Sequence, residues 1–533
     1  MNKQTFKVFL GIIWILTILI FYYFALVPLN LQSPAFWFFM ICALGLGAVL
    51  FYLDQLFITK KILFTKHIAS YLAVATIVIT LLGGIMLLYS LPVFHAKAYA
   101  NLIEKQEGDF ATDVEELPVS QIPTVDRDTA LRLGDRKMGE IVELVSQFNV
   151  APDYTQINYQ GKPVRVSPLQ YAGFFKWFNN TKNGIPSYIR VDMVTGYVEL
   201  VTPEKSIKYS ESEYFFENVR RYLRIKYPTA IFGDFSFEID EQGTPYWIVS
   251  VRHNTIGLFG GTDVKEVIML NASTGEHQKL KVGEVPQWVD RVYDADLVIQ
   301  QLNFNGRYQN GFINSIIGQK GVLATTEGYN YLALHDDVYL YTGITSVVRD
   351  ESNIGFILVN MRTKETTFYS IPSAEEFSAM DSAQGAVQEK RYVSTFPLLL
   401  NIEDKPVYFM SLKDAAGLIK MYALVDAQDY QKVIVANTVE EAINTFTGRS
   451  KTGTEPVEEE PREEFAFAGK VTDIQAVVMD GNTYFYLLLE GQNDIYIANI
   501  KVSEKLPFLK IDNEISGYYV EKSQGVKEIV RLK

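Results

Sequence analysis

Cysteine is almost missing from this chain of 533 residues, in which Cys42 is the only one. The region after it therefore contains no disulfide bridge, which excludes the class of small exported domains that depend on such bridges. A chain of this length is expected to fold as several units with cores of their own. The composition, 48% hydrophobic and 13% aromatic, supports such cores and excludes a disordered protein.

Histidine is scarce, and the motifs of common enzymes are missing. No HExxH pair, metal-ligand spacing, G-x-S-x-G elbow or P-loop occurs, and the glycine-rich segment IGLFGGTD (256–263) is interpreted as a loop. His335, beside Asp336 and Asp337, is a minor candidate for a site. The sequence thus predicts no catalytic, cofactor-binding or metal-binding residue, no cofactor and no enzymatic activity, although carboxylates distant in sequence can still meet in space. The five histidines are His67, His95, His253, His277 and His335.

Charged residues are missing from three long apolar runs near the N-terminus, 8–27, 35–53 and 68–91. Each is close to the roughly 20 residues that a helix needs to cross a bilayer. The first run is too long for a cleaved signal peptide and lacks a small-residue cleavage site. The sequence therefore predicts three transmembrane helices and a chain anchored in the lipid bilayer.

Basic residues predict the orientation of these helices. Lysines precede the first run and fill the loop between the second and third, at Lys60, Lys61 and Lys66. Positively charged loops stay in the cytoplasm, so everything after the third run is expected outside it. That region is more acidic than the whole chain, whose net charge is −13. Such acidity disfavours nucleic acid as a partner and suits solubility, cations or basic partners.

Beyond residue 124 the sequence becomes repetitive. Three segments, 187–201, 265–280 and 355–371, each contain an apolar strand that runs into a turn. Asp192, Asn271 and Asn360 begin these turns, and Asp or Asn side chains stabilise turns by bonding to the local backbone. Glycine follows in two of them, whereas Lys364 takes its place in the third, so a different turn is predicted there.

A second kind of strand–turn–strand segment also occurs three times. Its second strand starts at Pro163, Pro245 or Pro406. Helical patterns precede the units at 126–148, 211–227 and 373–388. The predicted unit is a helix packed on an antiparallel sheet.

This order of elements, with LNASTGE at 270–276, resembles the PepSY domain family. The match is closest over 211–280, and about half of the chain is involved. The resemblance implies small non-enzymatic modules that bind or regulate, with peptidase inhibition as one possibility. It implies no catalytic residue.

The end of the chain is predicted to be a separate barrel. The segment 448–465 is acidic and proline-containing, which indicates a linker. Strands with glycine turns follow, including a hairpin signal at Asp480 and Gly481, and their order resembles an OB-fold, a class that often binds oligonucleotides or sugars. Tyrosines of this region either stack on a ligand or pack within the barrel; they are Tyr484, Tyr486, Tyr496 and Tyr518.

The predicted fold class is a membrane-anchored α+β protein with three transmembrane helices, PepSY-like units and a small C-terminal β-barrel. We expect a non-enzymatic cell-envelope protein that binds, scaffolds or regulates other envelope proteins. Two alternatives remain: a hydrolase that uses scattered carboxylates, or a protein that binds cell-wall polymer through its barrel. The boundaries are 1–95 (anchor), 96–124 (stalk), 125–210 and 211–283 (PepSY-like), 284–372 (irregular α+β insertion), 373–447 (PepSY-like), 448–465 (linker) and 466–533 (barrel).

Overall fold

The computed structural model describes residues 3–54, 68–334, 336–347, 349–449, 465–479, 482–492, 494–499, 502–503, 505–523 and 526–532. The chain forms two compact units, Met1–Ser450 and Lys451–Lys533. The lysines of the basic loop, His67, His335 and the acidic part of the linker lie outside the described residues.

Three helices near the N-terminus are long and apolar enough to cross a membrane, which confirms that part of the sequence prediction. They pack on one another through aromatic and small side chains. The indole Nε1 of Trp14 donates to the Ala43 carbonyl oxygen at 2.7 Å, and its ring covers Gly47 so closely that a side chain there would overlap it. The helices are α1 (Lys3–Ala25), α2 (Pro34–Asp54) and α3 (Ile68–Tyr89).

The segment 96–124, expected to be a stalk, is part of the folded body, which we define as residues 92–449. Helix α4 (Pro92–Ala100) follows α3 after a break, and β1 (Gln106–Glu107) joins a sheet. Beyond α5 (Phe110–Asp113), Val114 and Ile122 are buried in the core. The stalk prediction is wrong because these apolar side chains are taken up by a core made from residues far along the chain.

The body contains four sheets, and helices accompany each of them. The first sheet has the order β2-β4-β5-β6, with β3 beside β4. The helix expected over 126–148 ends at Gly139, a residue of low helix propensity. A short second helix follows at Val142–Val145, and Phe148 begins a strand. These elements are α6 (Arg127–Gly139), α7 (Val142–Val145), β2 (Phe148–Val150), β3 (Thr155–Tyr159), β4 (Lys162–Tyr171), α8 (Phe174–Asn180), β5 (Tyr188–Asp192) and β6 (Val198–Val201).

The second sheet is a four-stranded meander with the order β10-β9-β8-β7. Its helix begins later than the expected 211, because the Asn218 side chain caps it by accepting from the Arg221 N–H at 3.2 Å. The elements are α9 (Val219–Lys226), β7 (Ile231–Ile239), β8 (Pro245–Ile256), β9 (Gly260–Asn271) and β10 (His277–Lys281). The glycines of 256–263 lie at the tip of the β8–β9 hairpin.

The region 284–372, expected to be an irregular α+β insertion with strands, forms a helix and most of a seven-stranded sheet. The order is β1-β15-β14-β13-β11, with β12 beside β13 and β16 beside β14. The elements are α10 (Ala295–Tyr308), β11 (Leu323–Thr325), β12 (Asn330–Leu334), β13 (Asp337–Ser346), β14 (Arg349–Asn360), β15 (Thr366–Tyr369) and β16 (Ser373–Ala374).

The fourth sheet has the order β17-β19-β20-β21, with β18 beside β19. Its elements are α11 (Glu376–Gly385), β17 (Val393–Ser394), β18 (Leu398–Ile402), β19 (Lys405–Lys413), β20 (Ile419–Asp426), β21 (Val433–Ala436) and α12 (Val439–Phe446).

The turns recognised in the sequence share one hydrogen-bond pattern. In each turn, the side chain of the first residue accepts from the backbone N–H groups two and three residues later, at 2.8–3.0 Å. These first residues are Asp192, Asn271 and Asn360. Lys364 adopts a left-handed φ of +66°, close to the +71° of Gly196. The expectation of a different third turn is therefore wrong. Lys364 is held there by Asp263, whose Oδ2 lies 2.7 Å from the lysine Nζ.

Successive sheets share cores. In β8, Trp247 and Val249 face the first sheet, whereas Ile248 faces α10 and the third sheet, because neighbouring strand residues point to opposite faces. In β13, Leu340 faces the second sheet and Tyr341 the fourth. Both middle sheets are thus buried on two sides.

The segment before α6 runs beside the fourth sheet. Asn401 Nδ2 donates to the Val114 carbonyl at 2.6 Å, and Ser411 Oγ donates to the Thr124 carbonyl at 2.7 Å. Lys413 Nζ lies 2.6 Å from Asp126 Oδ2. All three contacts join residues 287 positions apart, so the last sheet closes against the start of the body.

The end of α1 and the α1–α2 turn are bonded to the second sheet and its helix. The buried Arg224 donates from Nε to the Leu26 carbonyl at 2.8 Å. In the α1–α2 turn, Gln32 Nε2 donates to the Asn254 carbonyl and Asn254 Nδ2 donates to the Gln32 carbonyl, both at 2.9 Å.

The end of α3 meets the β8–β9 hairpin. Ser90 Oγ accepts from the backbone N–H groups of Leu258 and Phe259, each at 3.1 Å, and the Tyr99 hydroxyl donates to the Ser90 carbonyl at 2.6 Å. The anchor is therefore joined to the body by several hydrogen bonds and not by a single flexible link.

The second unit is a closed five-stranded barrel with the order β22-β23-β24-β26-β25, in which β24 and β26 are parallel. Tyr496 is buried in its core beside Phe467, so packing explains this tyrosine. The Asp480–Gly481 turn lies outside the described residues. The strands are β22 (Phe465–Met479), β23 (Asn482–Leu489), β24 (Ile495–Asn499), β25 (Glu514–Ser523) and β26 (Val526–Leu532).

Candidate functional site

An open cleft of about 640 Å³ lies where the sheets of the body meet. Ligand cavities typically measure about 300–1,000 Å³, so its size suits a small molecule or a peptide. We call it the arginine cleft. Its charged lining residues are Asp126, Arg127, Asp128, Asp153, Arg165, Glu211, Arg220, Asp234, Arg291, Asp294 and Asp296.

Arg165 lies on β4 with its side chain pointing into the cleft, and it is 7% exposed. Its one side-chain hydrogen bond runs to Gln156 Oε1 at 3.2 Å, and its Nε has no partner. Among the residues that the structure describes, no carboxylate forms a salt bridge with it. Burial, with a smaller contribution from nearby Arg291, lowers the pKa of Arg165 to about 10. The group remains cationic at neutral pH.

Arg291 precedes α10 and lies near Arg165. Its guanidinium carbon is 3.5 Å from the centre of the Tyr331 ring, an attraction between a cation and an aromatic face. No salt bridge to Arg291 occurs within the described ranges. Gln156 Nε2 donates to the Tyr331 carbonyl at 3.2 Å. The residue that bonds to Arg165 is thus also bonded to the residue whose ring packs on Arg291.

Two helices begin at the cleft, and each N-terminal carboxylate is already neutralised. Asp126 caps α6 by accepting from the Thr129 N–H at 3.0 Å and pairs with Lys413. Burial alone raises the pKa of Asp126, but its bonds to Lys413 and Thr129 outweigh burial and hold it below the usual range. Asp294, before α10, pairs with Arg252.

The rim contains both paired and unpaired charges. Arg127 pairs with Asp153 at 2.9 Å, and Arg220 pairs with Glu211 at 2.5 Å. Asp128 and Asp296 are exposed in the first turns of α6 and α10. Neither of these two forms an ion pair with any residue in the described part of the chain. The cleft therefore combines two unneutralised guanidinium groups with two unneutralised carboxylates.

A pair of buried acids lies behind Arg291. Glu238 accepts from the backbone N–H groups of Asp290 at 2.8 Å and Arg291 at 3.0 Å. Asp290 accepts from the Asn158 N–H at 2.7 Å. Burial raises the pKa of Glu238 to about 7, and burial with the Glu238 charge raises that of Asp290 well above its usual range. These bonds join the first two sheets to the segment before α10.

The three described histidines lie in separate surroundings. His277 Nδ1 lies 2.8 Å from the Tyr227 hydroxyl, and burial lowers its pKa. His253 Nδ1 lies 3.2 Å from the Asp263 carbonyl, and the His95 ring meets the Tyr89 ring edge-on. No group of three or more His, Cys, Asp or Glu residues suited to a metal ion occurs among the described residues.

The cleft was not predicted from the sequence, although one signal exists. Arg165 stands between Val164 and Val166 in an apolar strand, and all three are buried. A fully buried arginine is rare unless it is paired, so a charge within such a strand marks an unusual site. Tyr293, between Arg291 and α10, is buried and also borders the cleft.

The barrel carries a separate surface depression of about 350 Å³. Tyr486 and Ile495 line it together with Asp473 and Gln475. Its charge pattern lacks the unpaired guanidinium groups of the arginine cleft, so the cleft is the stronger candidate site. No family model matches the chain, and no curated protein matches it.

Proposed function

We propose that this chain is a multi-pass membrane protein of the bacterial envelope whose body lies outside the cytoplasm and binds a ligand or partner in the arginine cleft. The observation that carries the proposal is Arg165, a buried guanidinium that lines a cavity and forms no salt bridge with any described residue. Burying an unpaired charge is costly, and an incoming anionic group offsets that cost.

Three contacts support the proposed orientation. The end of α1, the α1–α2 turn and the end of α3 all bond to the body. If the three helices cross the bilayer, the N-terminus and the α2–α3 loop belong to the opposite face. Lysines concentrate in those two segments, as expected for the cytoplasmic side.

Binding is favoured over hydrolysis by the state of the carboxylates. Asp126, Asp153, Glu211 and Asp294 all form ion pairs with basic side chains. A general acid needs a pKa close to the working pH, whereas the bonds of Asp126 to Lys413 and Thr129 hold the pKa of that carboxyl below its usual range. The predicted PepSY-like units agree with this proposal, because that resemblance implies modules that bind or regulate.

One labelling experiment tests both orientation and binding. In a Cys42→Ser background, Tyr329→Cys places a thiol at the cleft, where Tyr329 is 39% exposed. Tyr430→Cys is the matched control, because Tyr430 is 46% exposed and lies outside the cleft. Intact cells are treated with a membrane-impermeant maleimide–benzophenone, irradiated and analysed by mass spectrometry.

Both thiols should be labelled, and only position 329 should then form an adduct that Arg165→Met removes. Labelling only after the cells are permeabilised would overturn the orientation. Labelling at both positions without an adduct specific to 329 would overturn binding in the cleft.

A further inference from the structure

The charge pattern of the arginine cleft identifies a class of ligand, and this inference rests on the proposed function. Arg165 and Arg291 have no carboxylate partner, whereas Asp128 and Asp296 have no basic partner, within the described residues. The two arginines repel each other across a partly buried space, which an anion between them would relieve. A ligand that carries only negative charge is unfavourable here, because the two aspartates would repel it.

We propose that the cleft binds a short peptide or a similar zwitterion, with its carboxylate between Arg165 and Arg291 and its ammonium group toward Asp128 and Asp296. A guanidinium group matches a carboxylate through two parallel hydrogen bonds. The guanidinium of Arg165 lines the cleft, and its Nε is buried without a hydrogen-bond partner. The Tyr331 ring holds Arg291 from one face, which leaves its N–H edge available.

The cavity volume agrees with this class of ligand. About 640 Å³ exceeds what a single small anion fills, and it lies within the range of pockets for drug-sized ligands. Tyr329, Phe235 and Phe396 also line the cleft and provide apolar surface for side chains. A peptide supplies both charged ends and apolar contacts in one molecule.

Equilibrium dialysis tests this inference with the full chain in nanodiscs and a tripeptide library of randomised side chains. The library is prepared with free ends, with an amidated C-terminus, or with an acetylated N-terminus, and mass spectrometry measures retention. We expect amidation to lower retention at least tenfold and acetylation to lower it several-fold. Arg165→Met should remove the preference for a free carboxylate.

The exposed double variant Asp128→Asn/Asp296→Asn covers the case in which Arg165→Met does not fold. It should abolish the difference between free and acetylated libraries while leaving the effect of amidation. Equal retention of free and amidated peptides would overturn the proposal, and so would the absence of retention. If position 329 still forms its adduct in cells, only the ligand class is wrong; if it does not, cleft binding is wrong as well.

A second inference concerns an aromatic ridge, Phe174, Phe175, Phe178, Phe215 and Phe216. Phe175 is 79% exposed, Phe178 64% and Phe216 65%, an unusual density of apolar surface. The Phe216 ring lies 6.5 Å from that of Tyr23, in the last turn of α1. Aromatic side chains favour the level where a bilayer meets water. We infer that this ridge enters the outer part of the lipid bilayer beside α1.

Nitroxide labels test this second inference with the full chain in nanodiscs, again in the Cys42→Ser background. Labels at Phe175→Cys and Phe216→Cys should relax faster with oxygen, which enters lipid, than with a water-soluble nickel complex. The label at Tyr430→Cys, on the fourth sheet, should show the opposite preference. Equal access of the nickel complex to positions 175 and 430 would overturn the lipid contact.

Discussion

Replacing Glu376 by alanine is expected to lower the free energy of unfolding of the body by about 3 kcal/mol. Glu376 begins α11 and is fully buried. It accepts from the Tyr341 hydroxyl at 2.7 Å and from Asn353 Nδ2 at 3.3 Å. The alanine leaves the buried Tyr341 hydroxyl without this acceptor and opens a cavity between the third and fourth sheets.

Thermal and urea unfolding of the full chain in nanodiscs measure this effect. Glu440→Ala is the matched control, because Glu440 is also in the first turn of a helix, α12, but is exposed. Glu440→Ala should lower the free energy of unfolding by less than about 1 kcal/mol. Glu376→Gln keeps an acceptor for Tyr341 and should therefore lower the free energy of unfolding less than Glu376→Ala does. Equal stability of Glu376→Ala and Glu440→Ala would contradict the assigned role.

The stability of the wild-type body is expected to fall between about pH 4.5 and pH 7 because of Glu238 and Asp290. Burial raises the pKa of Glu238 to about 7 and raises that of Asp290 well above its usual range. In the unfolded chain both acids lose their protons near pH 4. The folded state therefore binds more protons in this window, so stability present at low pH is lost as pH rises, by up to about 1.4 kcal/mol per pH unit for each proton.

Asp290→Asn mimics the protonated acid, since its amide oxygen still accepts from the Asn158 N–H. At pH 5 the variant should unfold like the wild type, and at pH 8 it should be more stable by about 2 kcal/mol. Urea unfolding at a series of pH values measures the difference.

Glu238→Gln is the contrasting variant. Both Glu238 oxygens accept from backbone N–H groups, so an amide NH₂ there opposes a donor and should destabilise the body at every pH. A difference between Asp290→Asn and wild type that stays constant with pH would contradict the assignment to this acid pair.

Local patterns predicted the parts of the fold that depend on neighbours in sequence. The three apolar runs became helices of nearly the expected lengths, because crossing a bilayer demands an uninterrupted stretch of apolar residues. The turns at Asp192 and Asn271 also formed as predicted, since an Asp or Asn side chain needs only the next few N–H groups. The turn at Asn360 adopts the same form, although a different turn was expected there. The barrel was expected from strands and glycine turns, and a closed barrel is present. The PepSY and OB-fold resemblances stay predictions.

Features that depend on distant residues were missed. Phe110 and Val114 were assigned to a stalk because their partners, such as Leu399 and Leu400, lie nearly 300 positions later. The candidate site shows the same limit. Arg165 lies on β4 and Arg291 lies in the segment before α10, and neither has a motif around it. Only the packing of the sheets brings their charges to one cavity and leaves them without partners.

The closure of the body over 287 positions has a consequence for how the protein is made. Val114, Thr124 and Asp126 leave the ribosome long before Asn401, Ser411 and Lys413, the residues that bond to them. Contacts so far apart in sequence form slowly, because a long loop must close first. If export accompanies synthesis, the segment before α6 crosses the membrane with its apolar side chains uncovered and waits there for the fourth sheet. A chain cut short before residue 398 should therefore expose these side chains and become a substrate for chaperones or proteases at the cell surface.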